Sequence, residues 1–367
     1  MGIFDSLSSK SPKPYSKYAS AAGTAISHNS FADFFPFSSV SPTDRLFFIL
    51  YFHNPSASDI AHRISQPQPR LNRCKNTSFN SFRALTGKIQ VSQYADPSVL
   101  VDTQWLANHL NDPNVRIIEV DMSPEPYKNA HIPGAVFWNI SRDLLLPDFN
   151  MNWDAIAFEK LMARSGITND TTVIAYGSYP GTGAWIFWLL KVFGHENVRV
   201  LNGGYQKWKS EGRPLATELS TFPNTDYRAR GIDAHLRVLH DEIQASIGRS
   251  DCILLDVRTL QEYCGEWFFD QPPKEGERTG HIPGAVHLEH ILTLNEDGTF
   301  RSFNELKNLY HSKGITADKE VFPYCAIGGR SGYTWFVLKY LLGYPNVRNY
   351  DGSWNEWSRL PDVAIER

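Results

Sequence analysis

The sequence is poor in cysteine, with four in 367 residues, and it contains no Cys-x-x-Cys pair. So few cysteines exclude a disulfide framework for a chain of this length and favour a reducing compartment, so we expect a cytoplasmic protein. Zinc-binding spacing is also missing, because the closest histidine pair, His287 and His290, has no companion cysteine or carboxylate motif. We therefore expect no metal ion and no cofactor.

Long hydrophobic runs and an excess of charge are missing too. The apolar stretch from Leu46 to Phe52 is about a third of the roughly 20 residues that a membrane-spanning helix needs. The chain has 36 Lys and Arg against 39 Asp and Glu, a formal net charge of −3, which does not favour nucleic-acid binding. We expect a soluble globular protein, with neither a membrane nor a nucleic acid as partner.

The N-terminal segment, residues 1–93, differs from the rest of the chain. It is rich in serine, lacks hydrophobic periodicity and, up to residue 90, has ten Lys or Arg against four Asp. Such a segment cannot bury enough apolar surface to fold alone, so we expect a low-order extension. Organelle transit peptides have a similar composition, and the first six residues form a weak myristoylation pattern. We favour a disordered tail, or an upstream extension from a misassigned start codon, over targeting.

From residue 94 onward the sequence repeats itself. The hexapeptide His131 to Val136 returns as His281 to Val286, an offset of 150, and four further matches follow in the same order at offsets of 148 to 149. Such a repeat indicates two copies of one domain, which we place at residues 94–217 and 235–367. The polar segment between them reads as a linker.

Each copy alternates short apolar strands with amphipathic helices. This pattern predicts two α/β domains, each a parallel sheet covered by helices on both faces. In such sheets the ligand lies at the carboxyl ends of the strands. Residues that follow a strand are therefore the first candidates for a functional site.

The loop after the strand Val321 to Tyr324 has the strongest signal for chemistry. It reads Cys-Ala-Ile-Gly-Gly-Arg-Ser-Gly at 325–332, and a helix is expected to follow. Three glycines let backbone N–H groups converge, and the helix N-terminus adds positive potential, so a thiolate is stabilised there. We predict that Cys325 is a nucleophile and that Arg330 assists it. The alternative is a small buried hydrophobic residue, the usual role of a lone cysteine after a strand.

A second strand, residues 253–258, ends with Asp256 and Arg258 on the same side. Arg258 is a candidate ligand for an anionic substrate, with Asp256 in a supporting role. The alternative is a surface ion pair of Arg258 with Asp256 or Glu262.

The first copy lacks these groups. Glu119 and Asp121 occupy the positions of Asp256 and Arg258, and Gly177 occupies the position of Cys325. That copy has neither the nucleophile nor the cation, so we expect it to be inactive.

These segments together resemble the two-domain sulfurtransferases of the rhodanese type, from about residue 99 to the end of the chain. The resemblance rests on the paired His-Ile-Pro-Gly-Ala turns, Leu-Asp-Val-Arg at 255–258, the loop at 325–331 and Asn-Tyr-Asp-Gly-Ser-Trp at 349–354. It implies an inactive first domain and a second domain in which Cys325 carries a persulfide. It also implies that Arg258 helps to bind the anionic donor.

The loop departs from the best-known members of that family. Vertebrate-type thiosulfate sulfurtransferases have Cys-Arg-Lys-Gly-Val-Thr, and mercaptopyruvate enzymes have Cys-Gly-x-Gly-Val-Thr. Ala326 and Ile327 stand here where the first kind has two cations, and the Cys-x-x-Gly-x-Arg-Ser form resembles many bacterial rhodaneses. The identity of the donor is therefore less defined than the class of reaction.

We expect the Cys325 thiolate to attack the outer sulfur of thiosulfate and a cyanide or thiol acceptor to take the resulting persulfide sulfur. The residues predicted to bind the donor are Arg258, Arg330, Ala326, Ile327, Gly328, Gly329 and Ser331. Mercaptopyruvate as donor, and a relay protein that receives sulfur from a partner, stay open as alternatives. A cysteine phosphatase is disfavoured, because it needs Cys-x5-Arg and this loop is one residue shorter. We expect a monomer.

Overall fold

The computed structural model describes residues 93–179 and 181–367. Apart from residue 93, the predicted N-terminal extension and its apolar stretch at 46–52 lie outside the described residues. Among the residues described, no helix combines the length and the apolar composition that crossing a membrane requires.

The first half contains a five-stranded parallel sheet in the order β1-β5-β4-β2-β3. Its strands are β1 (Leu100–Val101), β2 (Val115–Asp121), β3 (Val136–Asn139), β4 (Thr172–Tyr176) and β5 (Val198–Leu201). Its helices are α1 (Thr103–Asn108), α2 (Glu125–Asn129), α3 (Ala155–Arg164), α4 (Thr182–Val192) and α5 (Gly204–Ser210).

Helices cover both faces of this sheet. Along β2, Ile117 packs into a cluster with α1, α2 and α5, whereas Ile118 and Val120 pack into a cluster with α3 and α4. Successive side chains of a strand point to opposite faces, so a strand buried on both faces is apolar throughout. The predicted layer order is confirmed for the first half.

The second half repeats this arrangement with a shorter sheet in the order β7-β6-β8, all parallel. Its strands are β6 (Cys252–Asp256), β7 (Val286–His287) and β8 (Glu320–Tyr324), and its helices are α6 (His240–Ser246), α7 (Leu260–Tyr263), α8 (Phe303–His311), α9 (Gly329–Phe336) and α10 (Ser353–Trp357). Isolated parallel bridges, Val321 with Val347 and Arg237 with Asn349, stand where β5 and β1 stand in the first half. The two tandem α/β domains that the repeat predicts are therefore present.

The two halves share one hydrophobic core, to which the neighbouring helices α4 and α9 both belong. The rings of Phe187 and Phe336 lie 4.9 Å apart, and a Cβ added to Gly332 would lie 2.8 Å from the Trp185 ring. Only glycine permits this close approach of α9 to the other half. The first half therefore contributes to the surroundings of the loop after β8.

Each half also places a short hairpin on the other half. In the hairpin at 145–151, a backbone carbonyl accepts a hydrogen bond of 3.0 Å from the Asn355 amide of α10. In the hairpin at 294–300, Asp297 pairs with Lys207 of α5 at 2.9 Å. Each hairpin thus lies near the carboxyl edge of the opposite sheet, where the sequence predicts the functional loops.

Candidate active site

Cys325 lies directly after β8, four residues before α9 begins, and only 1% of it is exposed. The Ser331 hydroxyl, in the first turn of α9, donates to the Cys325 sulfur at 3.6 Å. The backbone N–H of Cys325 donates to the Ser353 hydroxyl at 3.0 Å, which fixes the start of the loop. The sulfur therefore lies beside the N-terminal end of α9, which carries positive potential.

A cavity of about 100 Å³ opens over Cys325, and residues of both halves line it. Most of its walls are apolar or aromatic, namely Met122, Ile140, Phe149, Trp185, Phe269 and Tyr333. Four residues of the predicted loop also line it, namely Ala326, Ile327, Gly329 and Arg330. Gly328 is not a lining residue, and its carbonyl accepts a hydrogen bond from the Asn349 side chain at 3.2 Å.

Arg330 lines the cavity and forms a two-point ion pair with Glu262, with both N···O distances at 2.8 Å. Glu262 is fully buried, and it also accepts hydrogen bonds from the N–H and hydroxyl of Thr259, at 2.9 and 3.0 Å, in the capping box of α7. A carboxylate held this way fixes the arginine in both position and orientation.

Arg258 does not line the cavity. Its guanidinium is buried, donates to the Asp256 carboxylate at 2.6 to 3.1 Å and to the Gly280 carbonyl at 2.7 Å, and lies 4.5 Å from the Trp354 ring centre. Burial alone would raise the pKa of Asp256, but the charge of Arg258 keeps it below its ordinary value, so the pair is ionised.

Arg258 does not line this cavity, and its assignment to the donor-binding residues stays a prediction. The ion pair with Asp256 is the alternative that the sequence left open, but it lies in the interior rather than at the surface. Arg330 lines the cavity, whereas Arg258 does not. Arg258 and Asp256 form an ion pair in the interior of the second domain.

The first half also contributes a hydrogen bond across the cavity, because the Tyr179 hydroxyl lies 2.7 Å from Nε2 of His290 and both residues line the cavity. Burial, followed by the charge of Arg330, lowers the pKa of His290 to about 3, so this imidazole is neutral. His287 bonds elsewhere, to the Arg258 carbonyl. In the part of the chain that the structure describes, no cluster of three His, Cys, Asp or Glu is arranged to hold a metal ion.

The corresponding edge of the first half has a glycine at the position of Cys325 and an acid, Asp121, at the position of Arg258. Glu119 pairs in register with Tyr176 as Asp256 does with Tyr324, so Gly177 occupies the position of Cys325. The Tyr176 hydroxyl donates to Glu119. Burial raises the pKa of Glu119 to about 8.

The sequence reasoning did not identify several residues of the site. The sequence does contain a signal for Ser353, because this residue replaces Gly204 at the matching position of the repeat. Glu262 also had one, since Thr-x-x-Glu at 259–262 is a capping box before a short helix. Phe149 and Tyr179 had none, because they reach the cavity from the other half.

Comparisons with known proteins agree with this fold. The model of the rhodanese-like domain matches residues 102–211 and 239–360. The sulfur carrier protein TtuD of Thermus thermophilus is 46% identical over 280 residues, which cover 75% of this chain and 98% of that protein. A Mycolicibacterium smegmatis protein with the provisional name thiosulfate sulfurtransferase is 42% identical over 275 residues, covering 74% and 99%.

Solved structures share the fold of this chain. A structure of EanB in a cysteine-persulfide state with ergothioneine superposes with a TM-score of 0.65 at 27% identity, over 75% of this chain and 72% of that chain. With two α/β domains in tandem, a cysteine loop in the second, and a family model that matches both, the chain belongs to the rhodanese family as a two-domain rhodanese-type sulfurtransferase.

Proposed function

We propose that the protein transfers a sulfane sulfur from thiosulfate to cyanide or a thiol through a persulfide on Cys325. One observation carries the proposal: Cys325 lines the cavity, and its sulfur lies beside the first turn of α9, 3.6 Å from the Ser331 hydroxyl. The relatives with the provisional name thiosulfate sulfurtransferase support thiosulfate as the donor.

The reaction has two balanced steps. In the first, the Cys325 thiolate attacks the outer sulfur of thiosulfate, the S–S bond of thiosulfate breaks, and sulfite leaves with its electron pair. In the second, cyanide or a thiolate attacks the outer sulfur of the persulfide, and the Cys325 thiolate is the leaving group. The products are thiocyanate or an acceptor persulfide, and neither step needs a metal ion or a cofactor.

The loop supplies donors for the anionic sulfur in both steps. Among the described residues, none accepts a hydrogen bond from the backbone N–H of Ala326, Ile327 or Gly328. These N–H groups, together with the N-terminus of α9, are available to an anion, and fixed donors of this kind stabilise a developing charge without reorganisation.

Arg330 contributes less net charge than its position suggests. The Glu262 carboxylate offsets the charge of Arg330. Asp270 lines the same cavity, and burial raises the pKa of its carboxyl. We therefore assign Arg330 an orienting role for the donor, whereas the loop amides hold most of its charge.

A second candidate function is a sulfur relay, in which Cys325 receives its sulfur from the persulfide of a partner protein. The apolar walls and the offset charge of Arg330 favour it, because a doubly charged inorganic donor gains little from such a cavity. The likeness to a sulfur carrier protein points the same way.

Sulfur loading separates the two candidates. The protein is incubated with sulfur-labelled thiosulfate or with cysteine persulfide, and the intact mass is followed for the gain of one sulfur atom. Loading by both donors supports the thiosulfate reaction, whereas loading by the persulfide alone supports the relay. No loading by either donor would exclude both.

Two variants locate the loaded sulfur. We expect C325S to gain no sulfur and to keep its fold, because the hydroxyl fills nearly the same volume. C252S is the matched control, since Cys252 is the other free cysteine among the described residues and burial in β6 raises its pKa. A C325S protein that still gains sulfur would remove Cys325 from the mechanism.

The proposed reaction also depends on the redox environment of the protein. A thiolate nucleophile and thiol acceptors require a reducing environment, so we place the protein in the cytoplasm, as a monomer whose partners are small sulfur compounds.

A further inference from the structure

Three residues other than glycine adopt a positive φ among those that the structure describes, and all three are at the site. They are Phe149 at 67°, Phe269 at 59° and Ser353 at 53°. Both phenylalanines line the cavity over Cys325, and the Ser353 hydroxyl accepts the Cys325 N–H. A bulky side chain in this conformation is strained, and such strain is concentrated at functional sites.

The repeat provides an internal comparison for two of these positions. The hairpin at 145–151 and the hairpin at 294–300 match at an offset of 149, which aligns Phe149 with Gly298. The same offset aligns Ser353 with Gly204. Both glycines have a positive φ, 79° and 55°, so the backbone is the same in the two halves. At the sheet edge that has Gly177 in place of Cys325, both aligned positions are glycines. At the edge that has Cys325 they are Phe149 and Ser353, whose side chains make a positive φ energetically unfavourable.

The position of Phe149 is tied to the cysteine loop through one side chain. The Asn355 amide donates to the Asp148 carbonyl at 3.0 Å and to the Asn150 side chain at 3.2 Å, on either side of Phe149. The backbone N–H of Asn355 donates to the Ala326 carbonyl at 2.8 Å. The ring is therefore held at a fixed distance from the residue that follows Cys325.

Phe269 is held as firmly from the second half. It lies in the tight turn between Phe268 and Gln271, which form an antiparallel bridge with an N–H to carbonyl distance of 2.8 Å. Tight turns of this kind favour glycine, asparagine or aspartate at the position with a positive φ, and a phenylalanine there is unusual. The Phe268 ring, 4.6 Å away, packs against it.

We infer that Phe149 and Phe269 form an apolar entrance that selects the sulfur acceptor, favouring thiols with an apolar carbon skeleton over polar thiols of similar acidity. The inference rests on the proposed transfer from Cys325 and names the acceptor class for it. An apolar acceptor removes its own surface and the two rings from water when it binds, whereas a polar acceptor loses hydration without gaining a partner. The chemical step is the same for both acceptors: the acceptor thiolate bonds to the outer persulfide sulfur and the Cys325 thiolate leaves.

The test compares two thiols of similar acidity, benzyl mercaptan and 2-mercaptoethanol, on protein that has first been loaded with sulfur. The quantity measured is the ratio of kcat/KM for the two acceptors. We expect the wild type to favour benzyl mercaptan and F149G and F269G each to lower the ratio by roughly tenfold, the range for lost apolar contacts. Glycine tolerates the positive φ, so these changes remove the ring without adding backbone strain.

L146G is the matched control. Leu146 lies in the same hairpin, is 43% exposed and does not line the cavity, so its replacement loosens the hairpin without changing the walls. We expect this variant to keep the wild-type ratio to within about twofold. A fall as large as that of F149G would show that hairpin mobility, and not the ring, sets the preference, and would overturn the inference.

F149L and F269L test the same idea if a glycine variant fails to fold, since leucine keeps apolar volume and loses the flat ring. We expect an intermediate ratio for both. Wild-type selectivity in all the folded variants, or a wild type without preference, would overturn the inference. Failure of the proposed function has a different signature, because the protein then gains no sulfur before any acceptor is added.

Discussion

The guanidinium of Arg330 and the carboxylate of Glu262 form a two-point ion pair that joins the cysteine loop to helix α7. Both N···O distances are 2.8 Å, and the carboxylate is fully buried. The pair thus links a group that lines the cavity to the interior of the second domain.

Removing the cation from this pair should cost more stability than removing a surface cation. R330A leaves the Glu262 charge buried without its partner, so we expect the free energy of unfolding to fall by about 3–5 kcal/mol. K128A is the control, since Lys128 pairs with Glu125 at the surface and should cost less than about 1 kcal/mol. Urea unfolding curves measure both, and equal losses would contradict the structural role of the pair.

One variant can distinguish two roles of Arg258, namely binding of the sulfur donor and neutralisation of the buried Asp256. If the guanidinium only neutralises Asp256, R258A should lose about 3–5 kcal/mol of stability, and the folded fraction should keep its thiosulfate KM. Stability is read from urea unfolding and KM from initial rates at a temperature where the variant is folded. A large rise in KM with unchanged stability would return Arg258 to the donor site.

Ser331 should affect the chemistry more than the fold. Its hydroxyl donates to the Cys325 sulfur, and a hydrogen bond to a charged group is worth about 1.5–3 kcal/mol, so we expect S331A to slow sulfur loading by about tenfold or more. Rapid-quench mass spectrometry of the loading step measures this rate. S302A, which removes the exposed cap of α8, is the control and should load at the wild-type rate. Equal loading rates for the two variants would remove Ser331 from the mechanism.

Glu119 makes stability depend on pH in the first half. Burial raises its pKa to about 8, with the charge of Asp121 adding to the shift and the Tyr176 hydrogen bond opposing it. The folded chain holds this proton where the unfolded chain has released it, so the stabilising contribution is complete below about pH 4.5 and is lost as the pH rises through 8. Glutamine cannot ionise. As the pH rises across this window, the free energy of unfolding should therefore fall by roughly 2–4 kcal/mol less for E119Q than for the wild type.

The measurement is urea unfolding of both proteins at several pH values in that window. E125Q, at an exposed helix position, is the control and should follow the wild-type curve. Parallel curves for E119Q and the wild type would mean that Glu119 is ionised in the folded protein.

The sequence was sufficient for the architecture because the repeat compares each strand with a second copy of itself. The match of His131 to His281 predicts two copies of one domain, and the two sheets share the same strand register at this point. The cysteine loop was predictable for a local reason: Cys325 directly follows β8, and the glycines and Ser331 lie just before or within the first turns of α9.

The two arginines could not be ranked from local pattern. Alternation along the predicted strand at 253–258 puts Asp256 and Arg258 on one side, but β6 ends at Asp256, and the pattern does not tell how deeply that side is buried. The strand is central in its sheet and Trp354 covers its end, so Arg258 is buried. The contributions of Phe149 and Tyr179 depend on contacts with the other half, near Asn355 and His290, which join distant segments without a local signal.

The exchange of hairpins between the halves has a consequence for how this chain can vary. The chain is arranged as a dimer whose protomers have been fused, and fusion allows the two protomers to differ. The first half has Gly177 at the position of Cys325, yet its hairpin, through Phe149, lines the cavity at Cys325. If the proposed transfer holds, substitutions in residues 145–151 should change which acceptors are used while the second domain stays unaltered.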